Sequence, residues 1–116
     1  MTLDVRHLSK VYAERGLRAT SFKVREGELI AVVGHNGAGK STLLKLLNGW
    51  LVPDAGEVTI DGLDLNNRRE IVRKIGFVPE TPNLFEFFSV EYNLALFARL
   101  FQIPSSRVGD TLLDFG

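Results

Sequence analysis

The sequence predicts an α/β fold, and three neighbouring features of its first half carry that prediction. Leu29 to Val33 is a short, uncharged run, typical of a strand buried on both faces of a parallel sheet. The next six residues, Gly34 to Gly39, include three glycines and cannot continue that strand. From Lys40, the run KSTLLKLLNGW has the pattern of a helix, so the order is strand, glycine loop and helix.

Two strands are predicted before this unit. LDVRHLSKVY alternates in part between apolar and polar residues and is the first, and LRATSFKV is the second. REGE then makes a turn from Val24 into the run at Leu29. Gly49 is the predicted stop of the helix that begins at Lys40.

Strand, turn and helix signals alternate after that helix. VPDAG is a predicted turn, EVTI a strand, and DG a tight turn of the hairpin kind. NNRREIVRK is a predicted short helix, whose charges fit a solvated face better than a nucleic-acid-binding patch. IGFVP is predicted as another buried strand, which Pro79 closes.

The last part of the chain is predicted to be helical. Ser89 is a predicted N-cap, and Glu91 lies in the first turn, where a helix favours negative charge. Apolar residues between Val90 and Phe101 recur on one helical face, and Pro104 ends the helix. SSRVGDTLLDFG is predicted to start a further helix.

Composition excludes several classes of protein. The 116 residues, 45% of them hydrophobic, are enough for one small domain with a core. Lys+Arg and Asp+Glu are both 14, so the chain lacks the basic excess of a nucleic-acid binder, and nucleic acid is not an expected partner. Without cysteine there is no disulfide framework. Charges interrupt the most apolar tract, LFEFFSVEYNLALFARLFQI, so no membrane span is predicted.

The glycine loop has the spacing of a phosphate-binding loop, or Walker A motif: Gly34, four residues, then Gly39, Lys40 and Ser41. Glycines allow backbone N–H groups to converge on phosphate oxygens, and the following helix adds its N-terminal partial charge. Lys40 would reach the β- and γ-phosphates, the Ser41 hydroxyl would bind Mg²⁺, and Thr42 would lie on the α-phosphate side. A glycine-rich turn without a ligand is the alternative. The dinucleotide fingerprint fits less well, because Thr42 occupies the place of its third glycine.

Beyond this motif, the chain resembles the ATP-binding subunit of an ABC transporter. GHNGAGKSTLL is more similar to that family's loop than to those of small GTPases or nucleoside kinases. LSKVY, REGELIAVVG, PDAGEVTIDG, RKIGFVPE and FSVEYNLALFARLFQIP agree with the family in order and spacing, so the resemblance covers essentially the whole chain. It implies a P-loop NTPase core with an N-terminal antiparallel β part in residues 1–80, and the start of a helical subdomain in residues 81–116. It also suggests the bacterial exporter-like subtype.

Residue roles follow from the resemblance position by position. Tyr12 matches the aromatic residue that stacks on adenine, although by itself it would be an ordinary strand-end tyrosine. Glu80 stands where the family commonly has a glutamine near Mg²⁺ and the attacking water. It keeps a ligand oxygen but loses the amide donor, and a solvated loop acid is the alternative. The implied nucleotide-binding residues are Tyr12, Gly34, Asn36, Gly37, Ala38, Gly39, Lys40, Ser41 and Thr42; the implied catalytic residues are Lys40 and Glu80, and the implied Mg²⁺ ligands Ser41 and Glu80.

The resemblance implies a function in membrane transport. The expected cofactors are ATP and Mg²⁺, and the expected partners are a transmembrane subunit and a second ATP-binding subunit. The expected location is the cytoplasmic face of the cell membrane. The aromatic group around Phe85 to Tyr92 would be either core or a docking surface for the membrane subunit.

The family's remaining motifs have no counterpart in these 116 residues. They are an LSGGQ-like signature, a Walker B aspartate with its adjacent glutamate, and a switch histidine. The chain is therefore expected to correspond to an N-terminal portion that binds ATP without turnover and is poorly stable alone. Two alternatives remain: a soluble ABC-type ATPase acting on nucleic acid or ribosomes, and a truncated, non-catalytic nucleotide-binding protein.

Overall fold

A four-stranded antiparallel sheet organises the first of two structural units, Met1–Phe77. The computed structural model describes residues 1–13, 15–65, 67, 70–71, 73–81 and 84–115. The strands lie in the order β2-β1-β3-β4, and β1 pairs with both β2 and β3. Their bounds are β1 Leu3–Tyr12, β2 Arg15–Val24, β3 Ala55–Ile60 and β4 Leu63–Asp64. The three strands predicted in these regions are confirmed, and so is the antiparallel arrangement.

The turn between β3 and β4 is the tight turn that the DG pair predicts. Asp61 and Gly62 both have left-handed backbones, with φ of 50° and 77°, as two-residue hairpin turns require. The Asp61 carboxylate also accepts hydrogen bonds from the Thr2 N–H at 2.8 Å and the Lys74 ammonium at 3.1 Å. These two hydrogen bonds hold the pKa of Asp61 below its usual value.

A bulge interrupts β1 in its middle. His7 has a left-handed backbone with φ of 47°, and the pairing with β3 shifts register between Arg6 and Ser9. Gly56 on β3 lies directly against the His7 carbonyl, so that any side chain there would collide with backbone. The glycine is therefore required by a close approach of two strands.

Helix α1, Lys40–Leu47, packs its apolar face on the sheet. Leu43 and Leu46 are its buried residues, and the helix ends before Gly49, whose φ of 71° confirms the predicted stop. The buried core cluster consists of Val5, Leu8, Leu17, Leu43, Leu46 and Val58. This packing fixes the end of the glycine loop relative to β1 and β2.

The predicted buried strands at residues 29–33 and 75–79 are wrong for this structure. Neither run is a strand, and Leu29 and Val33 are 98% and 87% exposed, while Val78 is also exposed. A strand buried on both faces needs neighbours that accept its backbone hydrogen bonds and cover its side chains. Within the described residues, no strand pairs with either run, so apolar composition alone does not make them strands.

The charged helix predicted across residues 66–74 lies partly outside the described residues, which omit 66, 68, 69 and 72. In the part that is described, the N–H groups of Glu70 and Ile71 donate to the Asn67 carbonyl at 3.0 and 3.2 Å. Ile71 is buried.

The second unit, Val78–Gly116, contains two helices, α2 (Val90–Leu100) and α3 (Ser106–Asp114). Ser89 is the N-cap of α2, and its hydroxyl accepts a hydrogen bond from the Tyr92 N–H at 3.1 Å. Both helices and this cap were predicted and are confirmed. In the described part of the chain, neither these helices nor α1 has the length and apolar character needed to cross a bilayer. The division of function between residues 1–80 and 81–116 stays a prediction.

Candidate functional site

The glycine loop, residues 34–39, is held in a compact turn by its own backbone. The Ala38 N–H donates to the His35 carbonyl at 3.1 Å. Gly37 and Gly39 have left-handed backbones, with φ of 86° and 92°, which residues with a Cβ resist. The loop conformation therefore explains two of its three glycines.

Gly39 is needed for a second reason, because it is buried against the start of β2. A Cβ at this position would lie 2.6 Å from the Gly16 carbonyl oxygen and 3.1 Å from the Leu17 Cα. The last residue of the loop thus touches the backbone of the β1–β2 hairpin. This role of Gly16 was not predicted from the sequence, although a glycine in or beside a strand often marks a close approach of two backbones.

Lys40 folds back over the loop. Its ammonium donates hydrogen bonds to the Gly34 carbonyl at 2.6 Å and the His35 carbonyl at 2.9 Å. A compact cation is thereby held at the mouth of a loop with little side-chain bulk. Phosphate oxygens bind to positions of this kind, where they meet an ammonium and backbone N–H groups together.

The start of α1 adds hydrogen-bond donors to the same place. No side chain caps this end of the helix in the described structure, so its first N–H groups have no partner within the helix. Ser41 is exposed and Thr42 is half-buried, and both belong to the first turn. The N–H groups, the helix dipole and Lys40 all favour an anion here.

A triphosphate with Mg²⁺ fits the chemistry of these residues. Space lies open beside Gly37, where an added Cβ would meet no atom within 4 Å. Mg²⁺ bound to a triphosphate takes hydroxyl oxygens as additional ligands, and the exposed Ser41 hydroxyl is such a group. Asn36 and His35 are also exposed, and the His35 Nδ1 lies 2.8 Å from the Asn36 carbonyl oxygen.

Tyr12 lies at the end of β1, where the hairpin turns toward β2. It pairs with Arg15, one residue before the Gly16 that touches Gly39. Its side chain is 46% exposed, and the Lys10 ammonium lies 5.8 Å from the ring centroid. Tyr12 is therefore linked to the glycine loop by two neighbouring residues: its strand partner Arg15, and Gly16, which lies against Gly39.

Glu80 belongs to the second unit and is exposed. Tyr12, Gly39 and Lys40 all belong to the first unit. The structure does not assign Glu80 to that group, and the metal-binding role of Glu80 stays a prediction.

Exposed aromatic side chains form a patch in the second unit, consisting of Phe85, Phe87, Phe88 and Tyr92. Phe88 stacks on Tyr92 with ring centroids 4.4 Å apart, and Phe85 meets Phe88 edge to face. Phe87 is 99% exposed. The patch is therefore not part of the core, which excludes the first of the two alternatives, core or docking surface, that the sequence left open.

A buried amide holds the segment that carries this patch. Asn93 on α2 accepts a hydrogen bond from the Phe85 N–H at 2.8 Å and donates to the Phe85 and Ser89 carbonyls at 3.1 and 3.0 Å. Sequence analysis did not single out Asn93, because a lone polar residue in an apolar helical run gives no signal of its partners.

Comparison with known proteins identifies a family. A family model described as ABC transporter matches residues 17–114. The Nod factor export ATP-binding protein I of Rhizobium etli is 36% identical over 118 residues, which are 97% of this chain and 37% of that protein. The phosphonates import ATP-binding protein PhnC of Treponema denticola is 39% identical over 114 residues, which are 92% of this chain and 44% of that protein.

Solved structures agree with these relatives. A structure described as the ATP binding subunit of an ABC transporter superimposes with a TM-score of 0.81 and 34% identity, covering 91% of this chain and 45% of that one. The chain thus spans less than half the length of each of these proteins. With a family match over residues 17–114, the chain belongs to the ABC transporter family and has the fold of the matched part of its ATP-binding subunits.

Proposed function

We propose that this protein binds MgATP and, within its complete transporter, contributes to the ATP hydrolysis that drives membrane transport. The observation that carries the proposal is the arrangement of Lys40 over the glycine loop at the uncapped start of α1. An ammonium beside backbone N–H donors at a helix start is the combination that binds phosphate groups, and this supports the proposal. Membership of the ABC transporter family supports the same function.

Each residue of the loop has a distinct role in this proposal. Lys40 exchanges its two carbonyl partners for β- and γ-phosphate oxygens, which bear more negative charge. The Ser41 hydroxyl binds the Mg²⁺ that accompanies the triphosphate, and Thr42 contacts the α-phosphate. Backbone N–H groups of Gly34, Asn36, Gly37 and Gly39 complete the cradle, and the Ala38 N–H joins them by leaving the His35 carbonyl. Tyr12 stacks on the adenine from the adjoining hairpin.

We expect these 116 residues on their own to bind ATP without turning it over. Phosphoryl transfer needs the metal held on more than one side and a positioned water. Lys40, Ser41 and Glu80 are the candidates that this chain offers, and the first two only bind and orient phosphate and metal. Glu80 would add a carboxylate ligand beside Mg²⁺.

Comparing Lys40→Ala with the parent tests the phosphate role. The variant should weaken ATP binding more than AMP binding, because AMP lacks the phosphates that Lys40 contacts. Lys45→Ala is the matched control, since Lys45 is an exposed lysine on the same helix. Calorimetric titrations of both nucleotides give the dissociation constants. Equal losses for ATP and AMP would contradict the assignment.

Glu80→Gln tests the proposed metal role. If Glu80 meets Mg²⁺, the variant should change the Mg²⁺ dependence of ATP binding and leave metal-free binding nearly unchanged. Glu86→Gln removes another exposed carboxylate of the same unit and is the control. A Glu80 variant that matches the parent at every Mg²⁺ concentration would favour a solvated loop acid.

The partners in this proposal are a transmembrane subunit and a second ATP-binding subunit, at the cytoplasmic face of the membrane. The aromatic patch of Phe85, Phe87, Phe88 and Tyr92 is the surface proposed to meet the transmembrane subunit, because large apolar patches mark binding sites. Resemblance of FSVEYNLALFARLFQIP to exporter-like members supports an exporter, whereas the named relatives include both an export and an import protein.

Co-purification with the membrane subunit encoded nearest to this gene tests that partnership. Phe87→Ser should reduce co-purification without lowering the unfolding midpoint, since the Phe87 side chain is almost fully exposed. Leu113→Ser, at another exposed apolar residue of the second unit, should leave it unchanged. Equal effects of both changes would argue against a specific surface.

A further inference from the structure

One side chain, Asp54, connects the turn after α1 to the end of β1 by hydrogen bonds. Its carboxylate accepts hydrogen bonds from the Lys10 ammonium at 2.6 Å and from the Val11 N–H at 2.9 Å. Its own N–H donates to the Ser9 carbonyl at 2.9 Å. Asp54 therefore contacts three consecutive residues that lead directly into Tyr12.

The hydrogen bonds of Asp54 begin where the pairing between β1 and β3 ends. The pairing of β1 with β3 ends at Ser9 and Ala55, whereas the pairing with β2 continues to Tyr12 and Arg15. Beyond Ser9, β1 has an edge on the β3 side, and the Asp54 carboxylate takes the place of a strand partner for the Val11 N–H. Without that carboxylate, the last residues of β1 are supported only by β2.

The same carboxylate controls the cation beside the Tyr12 ring. The Lys10 ammonium, bound to Asp54, lies 5.8 Å from the ring centroid, within the range of a cation–π contact. The hydrogen bond with Lys10 lowers the pKa of Asp54, and the same bond raises the pKa of Lys10. Both groups are therefore charged at neutral pH.

We propose that Asp54 is a positioning residue for nucleotide binding, which fixes the end of β1 so that the Tyr12 ring can stack on adenine. This inference rests on the stacking role of Tyr12 in the proposed function. Stacking needs a ring whose plane is already oriented, because orienting it on binding costs free energy. The two hydrogen bonds and the nearby ammonium provide that orientation from outside the phosphate loop.

The test compares MgATP with magnesium tripolyphosphate, which offers the same phosphate chain without a base. Asp54→Ala should weaken MgATP roughly three- to tenfold, the range of one lost hydrogen bond, and leave tripolyphosphate unchanged. Lys10→Met removes the ammonium but keeps the Val11 bond, so a smaller loss of the same kind is expected. A purely structural role would weaken both ligands together, and calorimetry separates the two cases.

Two further variants anchor the comparison. Tyr12→Ala should weaken MgATP by roughly 5- to 150-fold, the range for base stacking on an aromatic ring, again without affecting tripolyphosphate. Glu57→Gln is the matched control, because Glu57 also pairs with a β1 cation, Arg6, but at a point remote in sequence from Tyr12. In Glu57→Gln, the ratio of the dissociation constants for MgATP and magnesium tripolyphosphate should equal the ratio in the parent.

The double variant Asp54→Ala/Tyr12→Ala decides between positioning and independent contact. If Asp54 acts through the ring, Asp54→Ala has no further effect on MgATP once Tyr12 is replaced. Additive losses would overturn the inference, and so would equal losses of MgATP and tripolyphosphate in both Asp54→Ala and Asp54→Asn. If Asp54→Ala does not fold, the same comparison of MgATP and tripolyphosphate is made with Asp54→Asn, which is the milder change.

Failure of the inference and failure of the stacking role give different results. A base-selective loss in Tyr12→Ala with none in the Asp54 variants overturns the positioning role alone. Absence of any base-selective loss in Tyr12→Ala overturns the stacking and the positioning role together, even if the Lys40 results still support phosphate binding.

Discussion

Replacing Gly39 by alanine should destabilise the first unit through two separate effects. The first is the left-handed backbone at φ of 92°, which costs a residue with a Cβ about 1–2 kcal/mol. The second is the approach of the new Cβ to 2.6 Å from the Gly16 oxygen and 3.1 Å from the Leu17 Cα. Both are backbone atoms, so the hairpin must shift, and overpacking of this kind costs about 1–3 kcal/mol.

The structure supplies a matched variant that separates these effects. Gly37 has nearly the same backbone, with φ of 86°, but an added Cβ meets nothing within 4 Å. Gly37→Ala should therefore cost only about 1–2 kcal/mol, and Gly39→Ala about 2–5 kcal/mol. The difference between the two measures the contact between the loop and β2.

Urea unfolding followed by circular dichroism measures both free energies. The buffer should contain TMAO, which favours compact states, and no phosphate or sulfate, since these anions could bind the loop. Equal destabilisation by the two alanines would refute the reasoning, because it would mean that the contact with Gly16 carries no energetic weight.

Four further outcomes are expected. Ser89→Ala should cost about 1 kcal/mol, because it removes the N-cap of α2, and urea unfolding of the second unit's helices checks this. Asn93→Ala should cost about 2–4 kcal/mol, since it leaves carbonyl and N–H groups of the aromatic segment without partners; a loss no larger than that of Ser89→Ala would contradict the described network. Leu29→Lys combined with Val33→Lys should leave the urea unfolding midpoint unchanged, because both side chains are exposed; a large fall in the midpoint would mean that they are buried in solution. Stability should fall as the pH drops below about 4, because carboxylates with lowered pKa values bind protons more readily in the unfolded chain, and Asp61→Asn should flatten this dependence in urea titrations between neutral and acid pH.

The sequence by itself determined several of the local structures. Glycine spacing and the lysine that follows predicted a phosphate-binding loop ahead of a helix, and the structure has a compact loop with Lys40 folded over it. The helix end was predicted correctly from Gly49, the N-cap from Ser89, and the hairpin turn from the DG pair. These features depend on residues that are near one another in the chain, so the pattern contains the information.

Tertiary structure alone decided which residues of distant segments meet. The β-branched run at residues 29–33 looks like a buried strand, but strand formation depends on partners, and none of the described residues provides one. Gly39 and Gly16 are 23 positions apart, and Asp54 and Val11 are 43 apart. Contacts of this kind depend on how the helix and the hairpin pack, because backbone approach and edge hydrogen bonding are properties of the assembled sheet, which no local pattern of residues records.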